Sequence, residues 1–509
     1  MLYLFAMRKL LSLFFILASS QIIAQPIVQT QSGKISGAML SDDIRVFKGI
    51  PFAAAPVGEL RWKAPQPVKP WTDVKACTAY GASPMQGTPA PFGPWTWGYL
   101  IPKEPISEDC LYLNVWSGAK SNKEKRAVLV WIYGGGFTSG GSGCAIYDGE
   151  AMAKKGIVFV SINYRVGIFG FFAHPELTKE SGVNASGNYG LMDQVAALQW
   201  VKKNIAAFGG DPNNVTIAGQ SAGSMSVNCM VATPLAKGLF QKAIAQSGSN
   251  FTRANALLAD AEKEGVKLAA GASIKDLRNM PAETLMKKPS NLRGPVIDGY
   301  VLPQHIADIF EQDKNNPVDL LIGWNEDEGI LFGPPKKAED FTRDITHIFG
   351  ADADKALTYY KANTDDAAAK AQLDLSRDQL FGMPNYRWAS IEAANGRRVF
   401  VYRFARKVPA TGELARYGAF HTGEVPYAYD NLKYGDRPYE AADHEVAKLM
   451  SSYWFLFILN GDPNTKGLPL WPRFDTSGKM MMRFDVNSVA VPMADAPQLD
   501  LLYTKMYKN

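Results

Sequence analysis

Residues Phe208 to Gly223, F-G-G-D-P-N-N-V-T-I-A-G-Q-S-A-G, constrain the fold more than any other stretch of this chain. Val215 to Ala218 is a short apolar run of strand character, and the residues from Ala222 onward, A-G-S-M-S-V-N-C-M-V-A, suit a helix. Between them lies Gly219-Gln220-Ser221-Ala222-Gly223, a G-x-S-x-G. A serine set in so sharp a strand-to-helix turn needs glycine two residues to either side, because strand and helix approach too closely there for side chains. The turn holds the Ser221 hydroxyl clear of the backbone, at the positive end of the following helix. A bare G-x-S-x-G arises by chance in many glycine-rich loops, so the flanking strand and helix are what give this one weight.

Around this stretch strand and helix alternate. Val128 to Tyr133 (V-L-V-W-I-Y) and Gly156 to Ile162 (G-I-V-F-V-S-I) are continuous apolar runs, as buried parallel strands are. Gly190 to Phe208 has helical spacing, with Leu191, Val195, Leu198, Val201 and Ile205 on one face, and Lys242 to Ser247 reads as another strand. The alternation predicts an α/β fold, a large and mostly parallel sheet with helices on both faces, whose ligand site lies at the carboxyl ends of the strands. Pro26 to Trp71 is different: I-V-Q-T-Q-S-G-K-I-S-G alternates polar and apolar before Gly49-Ile50-Pro51 and Pro56-Val57-Gly58 break the chain, which predicts a small antiparallel β portion. Between Cys77 and Cys110, P-A-P-F-G-P-W-T-W-G-Y is an aromatic loop without periodicity. Its Trp95, Trp97 and Tyr99 either pack that loop or wall a substrate pocket.

Directly after the Val128 strand comes Gly134-Gly135-Gly136-Phe137. Glycines leaving a strand let backbone N–H groups point into a cavity with no Cβ in the way, and each such donor stabilises an oxyanion by ~3 kcal/mol. Together with Ser221, the triplet suits an oxyanion hole completed by the N–H of Ala222. A serine nucleophile also needs a base, usually histidine, and in this architecture the base lies far downstream of the serine. Of the five histidines, His174 precedes the serine, and His444 sits in a helical pattern, E-A-A-D-H-E-V-A-K-L-M. His421, in the glycine-flanked G-A-F-H-T-G-E after an Arg398 to Phe404 strand, is better placed than these and than His305 or His347. The acid should follow a strand between serine and histidine. Asp319 to Gly323 is that strand, and W-N-E-D-E-G after it offers Glu326, Asp327 and Glu328, among which the chemistry alone does not choose. No histidine pair has ligand spacing with cysteine or carboxylate, so no metal is expected.

Composition bounds the rest. With 47% hydrophobic residues there is enough apolar material for a large core, and no linker, repeat or low-complexity block divides the chain, so residues 25–509 are expected to be one domain. Residues 1–24 read as a secretory signal peptide, with Arg8 and Lys9 as the basic start and Leu10 to Ala18 as an apolar run too short for a stable anchor. The net charge of +5 falls by the two charges of Arg8 and Lys9 to +3 on cleavage, too little over this length to imply nucleic acid or a membrane surface. The expected localisation is secreted or periplasmic. Four cysteines, Cys77, Cys110, Cys144 and Cys229, leave room for one or two disulfides there.

Taken in order, these motifs resemble the type-B carboxylesterase/lipase family, which includes the cholinesterases and the non-catalytic neuroligin-type adhesion proteins; with its export leader the chain is similar to the bacterial-type exported carboxylesterases. The resemblance spans nearly the whole mature chain. It rests on the nucleophile stretch, on E-D-C-L-Y-L-N-V at Glu108, F-K-G-I-P-F-A at Phe47, L-R-W at Leu60, W-I-Y-G-G-G-F at Trp131, N-Y-R-V-G at Asn163, G-L-M-D-Q at Gly190 and P-V-I-D-G at Pro295. It implies the α/β-hydrolase fold, a catalytic set of Ser221, Glu328 and His421, and oxyanion donors at Gly135, Gly136 and Ala222. It further implies that Ser247 supports the acid, that Arg61 with Glu108 and Arg165 with Asp193 are internal ion pairs, and that Cys77 pairs with Cys110, although Pro84 stands where the family usually has a cysteine. Trp95, Trp97 and Phe251 are the candidate pocket residues. The expected activity is serine esterase chemistry on small to medium neutral esters, through an acyl-enzyme and without a cofactor. An adhesion or binding module on this fold would be expected to have lost one of the three catalytic residues, and all three are present.

Overall fold

The computed structural model describes residues 25–507, apart from 41–42, 104, 252–254, 290, 293 and 332. The expected signal peptide, residues 1–24, lies outside the described residues.

An eleven-stranded sheet organises the molecule. From one edge its strands run Val489–Pro492, Met480–Phe484, Val399–Phe404, Asp319–Asn325, Lys242–Gln246, Gly210–Gln220, Arg126–Ile132, Val158–Ile162, Tyr112–Ser117, Arg45–Pro51 and Ala38–Met39. The seven from Met480–Phe484 to Val158–Ile162 are all parallel, and antiparallel strands finish both edges. Val128, Leu129, Val130, Trp131 and Ile132 are all buried, which explains why this strand reads as an unbroken apolar run: a central parallel strand is covered on both faces. Helices supply the cover, among them Ala222–Ala232, against the strands Arg126–Ile132, Gly210–Gln220 and Lys242–Gln246, and Ala441–Asn460, which holds His444.

The expected helix forms as Tyr189–Asn204 followed by a tighter turn at Ile205–Phe208, and its five named apolar residues are buried. The antiparallel β portion at the start of the chain divides. Ile27–Thr30 and Gly33–Ser36 form a hairpin joined by Lys75–Ala76, whereas Arg45–Pro51 and Ala38–Met39 extend the main sheet. Arg61 and Glu108 meet at 2.7 Å, and Arg165 grips Asp193 with Nε and Nη2 at 2.8 and 2.7 Å; both expected ion pairs are made, the second fully buried and the first partly so. Among the described residues no helix is long and apolar enough to cross a membrane.

The expected Cys77–Cys110 disulfide is not formed, and all four cysteines are free and buried. Cys77 is held by backbone bonds to Ser36 and Lys48, with its sulfur 4.0 Å from the Gly49 carbonyl. Cys110 instead lines an internal hollow with Arg61, Glu108 and Arg165.

Candidate active site

Five neighbouring parallel strands end on one side of the sheet, and each leads into a segment singled out above: Arg126–Ile132 into the glycine triplet, Gly210–Gln220 into Ser221, Lys242–Gln246 into Ser247, Asp319–Asn325 into the acidic loop, and Val399–Phe404, by a longer excursion, into His421. Side chains distant in sequence converge there because parallel strands all point their carboxyl ends the same way.

Ser221 sits at φ 58°, ψ −127°, a conformation that L residues avoid and that only a tightly held turn maintains. The hold is visible on both sides. The Ser221 N–H donates to the Gln246 carbonyl at 2.9 Å, and Met225 N–H donates to the Ser221 carbonyl at 2.9 Å. A Cβ on Gly219 would lie 2.4 Å from the carbonyl carbon of Gly223, and one on Gly223 would lie 2.1 Å from the Ile132 carbonyl oxygen, so both flanking glycines are demanded by contact with main chain. A Cβ on Gly134 would be 3.0 Å from that of Ser221, which brings the triplet against the serine. Gly135 and Gly136 have φ of 112° and 62°, turning the loop back on itself after the strand. Among the described residues no acceptor takes the N–H of Gly135, Gly136 or Ala222, so all three donors are unused.

The acidic loop divides its three carboxylates by task. Glu326 pairs with Arg403 at 3.1 Å. Asp327 accepts from the Ala419 N–H at 2.9 Å and returns its own N–H to the Ala419 carbonyl at 3.1 Å, which ties this loop to the one carrying His421. Glu328, buried, accepts from its own strand end through Asn325 N–H at 2.8 Å and places Oε2 2.8 Å from His421 Nδ1. A carboxylate at Nδ1 fixes the proton there and leaves Nε2 as the acceptor. The Gln220 side-chain amide lies 3.1 Å from that Nε2, and among the described residues the Ser221 hydroxyl itself makes no hydrogen bond. Gln220 being the residue before Ser221, this contact brings the imidazole to the elbow.

Behind His421 is a second buried carboxyl that the sequence did not reveal. Glu424 accepts from Gln246 Nε2 at 3.1 Å and from Asn325 Nδ2 at 2.6 Å, and Asn325 also donates to the Phe420 carbonyl at 2.8 Å. Burial, reinforced by the charge of Glu328, pushes its pKa up to about 7. Because the folded value lies above the ordinary carboxyl value, the native state holds this proton more tightly than the unfolded chain. The stability so gained is present at acid pH and is lost as pH rises through about 7. Glu424→Gln removes the titration. Melting curves across the range should therefore show the wild type losing roughly 3 kcal/mol relative to the variant between about pH 5 and pH 8. Parallel curves would contradict this placement of the proton.

Three expected neighbours need correction. Ser247 is buried at φ 55°, but among the described residues its hydroxyl has no hydrogen-bond partner, so the support for Glu328 comes from Asn325 N–H instead. Phe251 is fully buried against Phe310, with ring centroids 5.3 Å apart, and belongs to the core. Trp97 is 46% exposed, with the Lys103 ammonium 4.7 Å from its ring, and faces outward. Trp95 does reach the site: its Nε1 donates to Thr422 Oγ1 at 3.2 Å, its ring meets His421 edge-on with centroids 6.4 Å apart, and Phe92 packs on it from outside. A further aromatic, Phe381, lies flat on the imidazole at 4.5 Å.

A serine on a strand-to-helix elbow at the carboxyl edge of a large, mostly parallel sheet defines an α/β hydrolase of the serine type. Comparison with known proteins narrows the class. A model of the carboxylesterase family matches residues 24–500, and the chain belongs to that family. It is 37% identical over 476 residues to fumonisin B1 esterase of Sphingopyxis macrogoltabida, covering 89% of this chain and 85% of the relative. To the para-nitrobenzyl esterase of Bacillus subtilis it is 34% identical over 475 residues, covering 88% and 92%. A solved structure of a PNB esterase superposes with a TM-score of 0.82 at 30% identity, over 94% of this chain and 99% of that one. The protein is a carboxylic ester hydrolase.

Proposed function

We propose that the protein hydrolyses small to medium neutral carboxylic esters with Ser221 as nucleophile, His421 as general base and acid, and Glu328 as the carboxylate that orients His421. The observation that carries this reading is the 2.8 Å contact between His421 Nδ1 and Glu328 Oε2, made by two buried side chains, with His421 also meeting Gln220, the residue before Ser221. In the acylation step His421 Nε2 takes the Ser221 hydroxyl proton as Oγ bonds to the ester carbonyl carbon, and the carbonyl π electrons move to oxygen. That oxyanion is met by the N–H groups of Gly135, Gly136 and Ala222. The C–O bond to the alcohol then breaks as the imidazolium returns its proton to the departing oxygen. Water, deprotonated by the same nitrogen, attacks the acyl-enzyme carbonyl, and collapse releases the acid and restores Ser221. Every proton taken is returned, so the cycle is complete with these side chains and water.

Trp95 meets His421 edge-on, and its aromatic face suits an apolar acyl or alcohol group beside the imidazole. The neutral ester preference is supported by the uncharged side chains on this side of His421, Trp95 with Thr422 bonded to it and Phe92 packed on it. We further propose export, supported by the basic start and short apolar run of residues 1–24, with residues 25–509 acting as one catalytic unit. Sequencing the amino terminus of the mature protein tests the first point, and a terminus at Met1 would contradict it.

Stopped-flow hydrolysis of an activated aryl ester tests the mechanism. Acyl-enzyme accumulation predicts a burst of about one equivalent of phenolate per chain before the steady state. Run beside it, a panel of short-chain aryl esters and matching anilides is expected to favour the esters. Faster anilide turnover would assign the site to amides.

A further inference from the structure

Helix Asp365–Arg377 does not simply run on into helix Met383–Ala394. The five residues between them, Asp378–Gly382, make a π turn. Such a turn widens the helix by one residue, which costs hydrogen-bond geometry and re-aims the side chains on it. Within helices it is rare and concentrated at functional sites. Here the re-aimed side chain is Phe381. Its ring lies over His421 with centroids 4.5 Å apart and planes 20° from parallel, and Phe381 is itself buried.

The turn is anchored from behind. Asp378, with no exposed surface, accepts from Arg377 Nε at 2.9 Å, Tyr360 hydroxyl at 3.0 Å and Gln498 Nε2 at 2.7 Å. Arg377 also donates to the carbonyl of Glu326 at 3.1 Å, and the Ser376 hydroxyl donates to the Ile330 carbonyl at 2.6 Å while accepting its N–H at 3.1 Å. A Cβ on Gly329 would lie 2.1 Å from the Leu373 carbonyl oxygen, so the helix and the Glu328 loop are in main-chain contact. One helix end thus fixes both the loop that bears Glu328 and the ring that covers His421.

An imidazole bonded only through its ring nitrogens, to Glu328 at Nδ1 and to the Gln220 amide at Nε2, is held along the line of those contacts and free to tilt about it. A flat ring at stacking distance removes that freedom, and its π face also favours the imidazolium when the proton arrives. Around His421 the charged groups are Glu328, at Nδ1, and Glu424, behind it; Trp95 closes the edge and Gln220 meets Nε2. Among these neighbours Phe381 is the one that lies flat on the ring, so it bears most directly on the ring's plane.

We propose that Phe381, aimed by the Asp378–Gly382 π turn, is a positioning residue for ester hydrolysis. It holds the His421 imidazole in the plane in which Nε2 serves Ser221 while Nδ1 keeps Glu328. This rests on the reading of His421 as the general base.

Phe381→Leu keeps apolar bulk and loses the flat face. It is expected to lower kcat about tenfold with KM changed by less than about twofold, and Phe381→Tyr, which keeps the ring, should hold kcat within about threefold of wild type. Phe381→Met serves as the non-aromatic variant if Leu does not yield folded protein. Wild-type kcat in the non-aromatic variant, an effect confined to KM, or equal losses with Leu and Tyr would each overturn the proposal and reduce Phe381 to pocket packing. His421→Ala, measured alongside, separates the two levels. Turnover retained by that variant would overturn the assignment of the base, whereas an inactive His421→Ala beside a fully active Phe381→Leu overturns only the positioning role.

Discussion

Ser221→Ala is expected to lower ester turnover by ~10³-fold or more while leaving the melting temperature close to that of the wild type. The activity loss follows from removing the only atom able to form the acyl bond at the elbow; what remains is the contribution of the amide donors and of binding. The intact fold follows from the surroundings. Among the described residues the Ser221 hydroxyl makes no hydrogen bond, so its removal strands no partner. Alanine also meets the same backbone constraint at φ 58° that serine already meets. Steady-state kinetics with an aryl ester and a thermal melt on one preparation check both halves. Loss of activity accompanied by loss of fold would leave the chemical role unsupported.

Gly223→Ala should act in the opposite way, through the fold first. The added methyl would be placed 2.1 Å from the Ile132 carbonyl oxygen and 2.8 Å from the carbonyl carbon of Tyr133. The first belongs to a central strand locked into parallel ladders on its two sides and the second to the buried residue that follows it, so neither can retreat cheaply. Overpacking against such a strand costs ~3 kcal/mol or more, and any relief would come from the helix Ala222–Ala232 moving off the sheet and carrying the elbow with it. The expected result is poor soluble yield or a strongly lowered melting temperature, with little activity in whatever folds. A well-folded, fully active Gly223→Ala would show that the helix has more clearance than these contacts allow.

These two substitutions mark what was legible in the sequence. Gly219 and Gly223 are readable because a steric demand of the main chain leaves only one residue type able to meet it, and the continuous apolar runs at Val128 and Gly156 are readable because a parallel strand is covered on both sides. His421 was distinguishable from the other four histidines by chain order and by its glycine-flanked loop. The choice of Glu328 over Glu326 and Asp327 came only from family resemblance. It depends on which way each carboxylate turns, and that is set by Arg403 and by the Ala419 main chain, far along the chain.

What was missed is equally specific. Glu424 lies three residues after His421 in an unremarkable T-G-E, and its burial between Gln246 and Asn325 depends on strands about 180 and 100 residues earlier. Phe381 lies in an ordinary helical pattern, since a π turn leaves no periodic mark in five residues. The Cys77–Cys110 pairing was carried over by resemblance although the cysteine usual to the family is replaced by Pro84, and in the structure both cysteines are free. Phe251 and Trp97 show that an aromatic residue near a site in sequence is as free to enter the core, or to face solvent, as to line the pocket.

The central claim is that one hydroxyl, at Ser221, becomes covalently acylated. Intact-mass measurement after exposure to a fluorophosphonate, followed by peptide mapping, tests it directly. A single adduct per chain located on Ser221, and absent from Ser221→Ala, is the predicted result. An unmodified chain, or an adduct on any other residue, would contradict it.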